Sequence, residues 1–213
     1  MTGNFIICTF YTPNYHTYLR KWEKNVKKTG CEYTARELPD RGKWSLNDCM
    51  KPQFILDMMH EYPHRNIAWV DIDGTIIKEP TLFDEITTDL AGYLDPVVPD
   101  TRKFIDDKYT YTPVWGGKLV WGGTLWFSNN ERTRKFVQLW VDSCNLDPHR
   151  YVGDQDNLNE MLDKHAEEMG LTFTPLPATY AFYVPYGRHE WYGKLEDAVI
   201  LQEFTTKPDR DSK

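Results

Sequence analysis

The chain has 213 residues, long enough for one α/β domain with a sizeable core, and aromatic residues make up 15% of it. Its 25 Lys and Arg stand against 32 Asp and Glu, a net charge of −7, which disfavours non-specific binding to duplex nucleic acid. Cys8, Cys31, Cys49 and Cys144 are scattered with no C-x-x-C pair, which gives no support to a zinc site or redox motif and fits reduced thiols in a cytoplasmic setting. No apolar run reaches the roughly 18 residues of a membrane span, and the start Met1-Thr2-Gly3-Asn4 does not read as a secretory signal.

Apolar runs and turn residues predict a first strand over 4–10, a turn over 11–14 and an amphipathic helix over 15–28 that stops before Gly30. Lys24, Lys27 and Lys28 read as that helix's solvated face. A second strand is expected over 32–38. Helical spacing then runs over 45–62, with Pro52 marking a kink or a new first turn. The third strand is the run Ile67-Ala68-Trp69-Val70 leading to Asp71-Ile72-Asp73-Gly74. A short helix over 80–86 and a short strand over 89–94 follow.

Residues 95–113 are polar and hold three prolines, which predicts an irregular excursion reaching to about 116. A strand with Gly122-Gly123 inside it is expected over 118–128, then a helix over 130–144 with Phe136, Val137, Trp140 and Val141 on one face. A second late helix is expected over 154–169 with Asp154 as its N-cap. Strands are expected over 171–173, 179–184 and 198–204, before a polar tail at 208–213. With no internal repeat, alternating strands and helices predict a layered α/β fold over 1–207.

Asp71 and Asp73 sit two apart, so an unbroken strand would point both carboxylates to one side. Two chemistries suit them. They can hold Mn²⁺ or Mg²⁺ through oxygen while a diphosphate fills other positions, the metal then stabilising a leaving nucleoside diphosphate. Alternatively, one attacks as a nucleophile and the other shuttles a proton. The letters Asp71-Ile72-Asp73-Gly74-Thr75-Ile76 resemble the first motif of haloacid-dehalogenase-type phosphatases, and Gly153-Asp154 resembles the start of their acidic motif. Against that resemblance, two strands precede the pair, and Leu158 and Asn159 stand where a further Asp is wanted. The inert alternative is a strand cap, at odds with two like charges so close.

The order of four segments resembles the GT-A-fold nucleotide-sugar glycosyltransferases, especially the retaining galactosyltransferase-like group. They are Lys51-Pro52-Gln53-Phe54, Trp69-Val70-Asp71-Ile72-Asp73, Trp121-Gly122-Gly123-Thr124 and Gly153-Asp154-Gln155-Asp156-Asn157, and the resemblance spans residues 4–207. It implies a Rossmann-like α/β/α sandwich with a mixed central sheet. It also implies transfer of a hexose or pentose from a nucleotide sugar, UDP-linked as the leading guess, to a saccharide, protein or modified nucleobase acceptor, with retention.

In that reading Asp71 and Asp73 bind the metal. Gly122 and Gly123 let the backbone approach a sugar hydroxyl. Asp154 accepts hydrogen bonds from the donor sugar, and Gln155 lies near the anomeric carbon, a poor nucleophile that can stabilise positive charge. Thr9, Tyr11 and Thr12 meet the nucleotide, with Tyr11 as a base-stacking ring, Lys51 contacts the donor, and Lys207 meets the diphosphate. Members of the retaining group place a His ligand near the last strand, whereas here Gln202 or Glu203 stands there, with Glu203 the better oxygen ligand and His189 a loop substitute. Tyr109, Tyr111, Trp115, Trp121 and Trp126, with Trp191 and Tyr192, are candidate acceptor platforms. A nucleotidyltransferase is disfavoured, since no Gly-rich phosphate loop follows the first strand. A non-catalytic sugar-nucleotide or carbohydrate binder is the remaining class.

Overall fold

The computed structural model describes residues 3–95, 119–146, 153–183 and 193–202. In chain order these form β1 (Phe5–Tyr11), α1 (His16–Thr29), β2 (Tyr33–Glu37), α2 (Trp44–Asp48), α3 (Lys51–Glu61), β3 (Asn66–Val70), β4 (Gly74–Ile76), β5 (Leu90–Asp95), β6 (Leu119–Phe127), α4 (Glu131–Asn145), α5 (Asp154–His165), β7 (Phe173–Leu176), β8 (Phe182–Tyr183) and β9 (Ile200–Gln202). The excursion expected over 95–116 and the polar tail lie outside the described residues, apart from the end of β5.

Six strands make a mixed sheet in the order β2-β1-β3-β6-β5-β7. β1 pairs parallel with β2 and β3, and β5 pairs parallel with β7, while β6 runs antiparallel to both β3 and β5. A small second sheet has the order β4-β9-β8. Alternation along β1 and β3 builds a core on each face of the large sheet. Ile6, Cys8, Ile67 and Trp69 pack with Phe54 and Ile55 of α3, Phe136 and Trp140 of α4 and Leu158 of α5. Phe5, Ile7, Ala68 and Val70 pack with Trp22 and Val26 of α1 and with Ile76 and Ile200 of the small sheet. Helices cover one face, and α1 with the small sheet covers the other, the layered arrangement expected.

Several boundaries differ for local reasons. The helical stretch over 45–62 divides at Cys49-Met50, and Pro52 falls in the first turn of α3, where its missing N–H and fixed φ are harmless. Gly30 closes α1 in the left-handed region, φ 72°, with its N–H donating to Lys27 O. Asn130 caps α4 by accepting from Thr133 N. Residues 81–84 and 178–180 form 3₁₀ turns where a helix and a strand were expected.

Asp89 ties β5 to α4 and β7. Its side chain accepts from Thr172 N and Oγ1, each at 2.9 Å, from Asn130 Nδ2 at 2.8 Å and from Arg132 at 3.1 Å. Burial alone would raise its pKa, but these donors hold the carboxyl below its ordinary value. Its stabilising contribution is therefore full above the unfolded pKa of about 3.9 and lost as pH falls through the lower folded value. Asp89→Asn is expected to lose about 2 kcal/mol at pH 7. Thermal melts of both proteins from pH 7 to 3 should show the gap narrowing below about pH 4. A gap independent of pH would mean the charge is immaterial.

Candidate functional site

In the sheet, the chain passes from β1 to β2 on one side and then returns to β3 on the other side of β1, a reversal of direction of the kind where α/β sheets open a crevice beyond their strand ends. Tyr11 ends β1 and Thr12 follows it, and beyond β3 lies Asp71. β3 stops at Val70, and Asp71 N donates to Gly123 O at 3.0 Å. Gly74 N then donates to Asp71 O at 2.8 Å, closing a tight turn that holds both acids and leads into β4. The same-side argument for Asp71 and Asp73 therefore fails, because the strand does not continue through them. A Cβ on Gly74 would stand 2.9 Å from Asp71 O, so the turn admits glycine alone without a shift.

Lys51 is the centre of the site. Its Nζ lies 2.6 Å from Asp154 Oδ2 and 2.9 Å from Asp71 Oδ1, and it donates to Gly122 O at 3.1 Å. Only 7% of the side chains of Lys51 and Asp154 is exposed, whereas Asp71 keeps 32%. Burial alone would lower the Lys51 pKa, but Asp154 and then Asp71 outweigh it and hold the ammonium above its ordinary value. Burial pushes the Asp71 carboxyl up, against the pull of Lys51. Lys51 opens α3, where the helix dipole disfavours a cation. The two carboxylates therefore determine its place.

Trp69 orients this pair from beneath. Its indole Nε1 donates to Asp71 Oδ1 at 2.7 Å, and its ring centroid lies 5.2 Å from Lys51 Nζ. Phe10 and Phe54 hold the indole, with centroids at 5.5 and 5.8 Å. Sequence reading passed over this role, although an aromatic two residues before the acid was its visible signal.

β6 supplies the facing wall. Register with β5 slips so that residues 121–124 lie opposite Tyr93 alone, a bulge within a strand that reads as continuous. Gly122 N donates to Gln155 Oε1 at 2.9 Å, and a Cβ on Gly122 would lie 3.2 Å from Gln155 Cβ and 3.4 Å from Asp154 Oδ2. A Cβ on Gly123 would stand 2.9 Å from Gln202 Oε1. The two glycines thus make room for protein side chains from α5 and β9 as well as for any ligand. Gln202 Nε2 donates to Gly123 O at 3.0 Å and to Thr124 Oγ1 at 2.7 Å, so this residue serves first to bind the bulge to β9.

The N-cap of α5 is Gly153, and Asp154 is its first helical residue, correcting the capping role expected for the acid. A carboxylate there suits the helix dipole while its oxygen meets Lys51. Trp140 Nε1 fixes the backbone by donating to Asp154 O at 2.9 Å. Asn159, fully buried, accepts from Val120 N at 2.8 Å and donates to Val120 O at 2.9 Å, splicing α5 onto β6 like an added strand residue.

The fold thus brings Lys51, Asp71, Gly122, Gly123, Asp154 and Gln155 together. It does not open Thr9 to a ligand: the residue is fully buried in β1 and its hydroxyl donates to Phe10 O at 3.4 Å. Thr12 is buried too, while Tyr11 is partly exposed and meets His16 edge-on at 5.2 Å. Trp126 is buried in the core beneath α1, so it is no acceptor platform, and Trp121 packs partly against Tyr93 and Phe182. Tyr109, Tyr111, Trp115, His189, Trp191, Tyr192, Glu203 and Lys207 lie outside the described residues.

Asp71 and Asp73 carry carboxylate oxygens, the donor type that Mn²⁺ and Mg²⁺ prefer. Among the described residues no three His, Cys, Asp or Glu side chains converge to hold a metal alone. Two carboxylates still fit a cation that completes its shell with substrate phosphates. No helix of the described residues is long and apolar enough to cross a membrane.

No family model and no curated protein sequence matches the chain. Its fold is similar to the crystal structure of a glycosyltransferase involved in the glycosylation of the major capsid of PBCV-1. That similarity has a TM-score of 0.59 at 14% identity, covering 93% of this chain and 91% of that one. The chain therefore has the mixed-sheet, Rossmann-like architecture seen in a glycosyltransferase.

Proposed function

We propose that the protein is a metal-dependent glycosyltransferase that moves a sugar from a nucleoside-diphosphate sugar, UDP-linked in the first instance, to an acceptor hydroxyl with retention. The observation that carries this reading is the buried Lys51 ammonium bridging Asp71, at the sheet's crevice, and Asp154, which opens α5. Asp71 and Asp73 would hold Mn²⁺ or Mg²⁺, which supplies charge neutralisation for a leaving diphosphate. Tyr11, at the end of β1, offers a ring for the base. Lys207 and Glu203 keep their roles as diphosphate contact and third ligand within the proposal.

Asp154 can accept a hydrogen bond from a donor-sugar hydroxyl while its Oδ2 faces the Lys51 ammonium at 2.6 Å. Gln155, anchored through its Oε1 to Gly122 N, presents a neutral amide instead of a nucleophilic carboxylate. A neutral amide is a poor nucleophile, which argues against a covalent glycosyl-enzyme, and the second lone pair of Oε1 is the part of the group able to support an oxocarbenium-like state. In the reaction the acceptor oxygen bonds to the anomeric carbon. The bond from that carbon to the diphosphate breaks with its electron pair, and the hydroxyl proton passes to the departing phosphate oxygen.

The phosphatase reading gains nothing from the structure. Leu158 and Asn159, where its acidic motif wants an Asp, are both fully buried, and Asn159 is committed to Val120. A thermal-shift panel of nucleoside diphosphates and sugar nucleotides, with and without Mn²⁺, tests the proposal. A metal-dependent shift with UDP, followed by UDP release from a UDP-sugar, is expected. Silence toward every nucleotide would overturn it.

A further inference from the structure

We propose that Cys49 and Cys144 form a reversible disulfide that loosens the Lys51 bridge, a redox switch whose effect on sugar transfer rests on the transferase reading. Each cysteine of the chain is a thiol. Cys49 caps the C-terminus of α2, and Cys144 lies in the last turn of α4. The fold packs them into one cluster, where the two thiols share a hydrogen bond. Asn157 of α5 touches both segments. Its Nδ2 lies 4.0 Å from Cys49 Sγ, and its Oδ1 accepts from Ser143 Oγ, next to Cys144, at 2.9 Å. Two thiols that already meet where helices join need only an oxidant to become a cross-link.

The two sulfurs have different parts. Cys49 is half-buried and Cys144 is buried, so an oxidant in solution meets Cys49 first. α3 begins just after Cys49, and the positive end of its dipole favours a thiolate there. The negative end of α4 disfavours one at Cys144. Cys144 donates its S–H to Cys49 Sγ, which lowers the Cys49 pKa and raises that of Cys144. Cys49 is therefore the attacking sulfur and Cys144 the resolving one. Neither other cysteine competes, since Cys8 is fully buried in β1 and Cys31 packs on the opposite face of the sheet.

The oxidant is a peroxide. The Cys49 thiolate attacks one oxygen of hydrogen peroxide, the O–O bond breaks with its electron pair going to hydroxide, and Cys49 becomes a sulfenic acid. The Cys144 sulfur then bonds to the Cys49 sulfur, the S–O bond breaks, and water leaves with the Cys144 proton. The hydroxide takes up the proton that Cys49 released. Two thiols lose two electrons and two protons, and one peroxide becomes two waters. A dithiol reverses the step by exchange. Closing the bond draws the Cys49-Met50 junction toward α4, and Lys51 opens α3 directly after it. The Lys51 Nζ meets Asp154 at 2.6 Å and Asp71 at 2.9 Å, so a small shift of its backbone breaks the bridge. A misplacement of about 1 Å in a site is enough to cost ~100-fold in rate.

The test uses the full chain with isotope-labelled lysine, read by NMR. The buried Lys51 ammonium is expected as a distinct, slowly exchanging signal, identified by its absence in Lys51→Arg. Hydrogen peroxide is expected to link the Cys49 and Cys144 peptides, as mapped by mass spectrometry, and to move or erase that signal. Dithiothreitol should restore it. UDP release from a UDP-sugar should fall at least tenfold on oxidation. Cys144→Ser should keep both its ammonium signal and its turnover under peroxide, while Cys31→Ser should respond as the native chain does. A native chain that does not link Cys49 to Cys144 overturns the proposal. So does a linked chain whose ammonium signal is unmoved, or one that turns over as fast as the reduced chain. A linked chain whose ammonium signal moves, but which ignores UDP in both states, keeps the switch and sinks the transferase reading.

Discussion

Lys51→Met is expected to lower folding stability by about 3–5 kcal/mol, the range found when one partner is removed from a buried ion pair. Asp154 is the reason. Its side chain is 7% exposed and faces Lys51 at 2.6 Å, so without the ammonium a carboxylate is left in the interior with little water. Asp71 contributes less, because a third of its side chain remains in solvent and Trp69 Nε1 still donates to it. Urea denaturation measures the loss. Asp154→Asn in the Lys51→Met background should return part of it, since the second change removes the stranded charge. A double variant no more stable than Lys51→Met would show that packing, not charge, sets the cost. Sugar transfer should fall at least a hundredfold in Lys51→Met, because Gly122 O, Asp71 and Asp154 lose their common partner.

Asp73→Ala has the second large effect and the opposite profile. The residue sits partly exposed in the turn between β3 and β4, so stability should change by no more than about 1 kcal/mol. The metal-dependent thermal shift with UDP should disappear, and UDP release from a UDP-sugar should fall by two to three orders of magnitude. Asp71→Asn should match it in activity but add a stability loss, because Asp71 also pairs with Lys51. Normal turnover in Asp73→Ala, with UDP still shifting the melting temperature in the presence of Mn²⁺, would remove the metal reading. The contrast between the two acids is the informative part.

The elements were mostly legible along the chain because hydrophobic period and turn residues are local signals. The strand run at 67–70, the amphipathic face of α4 and the glycine closing α1 each follow from neighbours within a few residues. Boundaries failed where a tertiary contact outweighed a local preference. Asp154 looked like an N-cap, but Lys51 draws its carboxylate and Gly153 takes the cap. Thr9 looked like a strand-end contact, but β1 runs on to Tyr11 and buries it. Trp126 looked like a platform and proved to be core, since an aromatic in a strand carries no mark of which face it will meet.

The sequence by itself determined the layered α/β class, most of the order of strands and helices but not β4 or the division of the helix over 45–62, and the residue types that carry charge near the ends of β1, β3 and β6. Only the tertiary structure decided that Lys51 bridges Asp71 and Asp154, that Trp69 steadies that bridge, and that Gly122 and Gly123 clear space for Gln155 and Gln202. The physical reason is distance along the chain. Antiparallel pairing of β3 with β6, the bulge in β6 and the splice of Asn159 onto Val120 bring these groups together. The partner of a buried charge is chosen by that packing, which no local pattern of residues encodes.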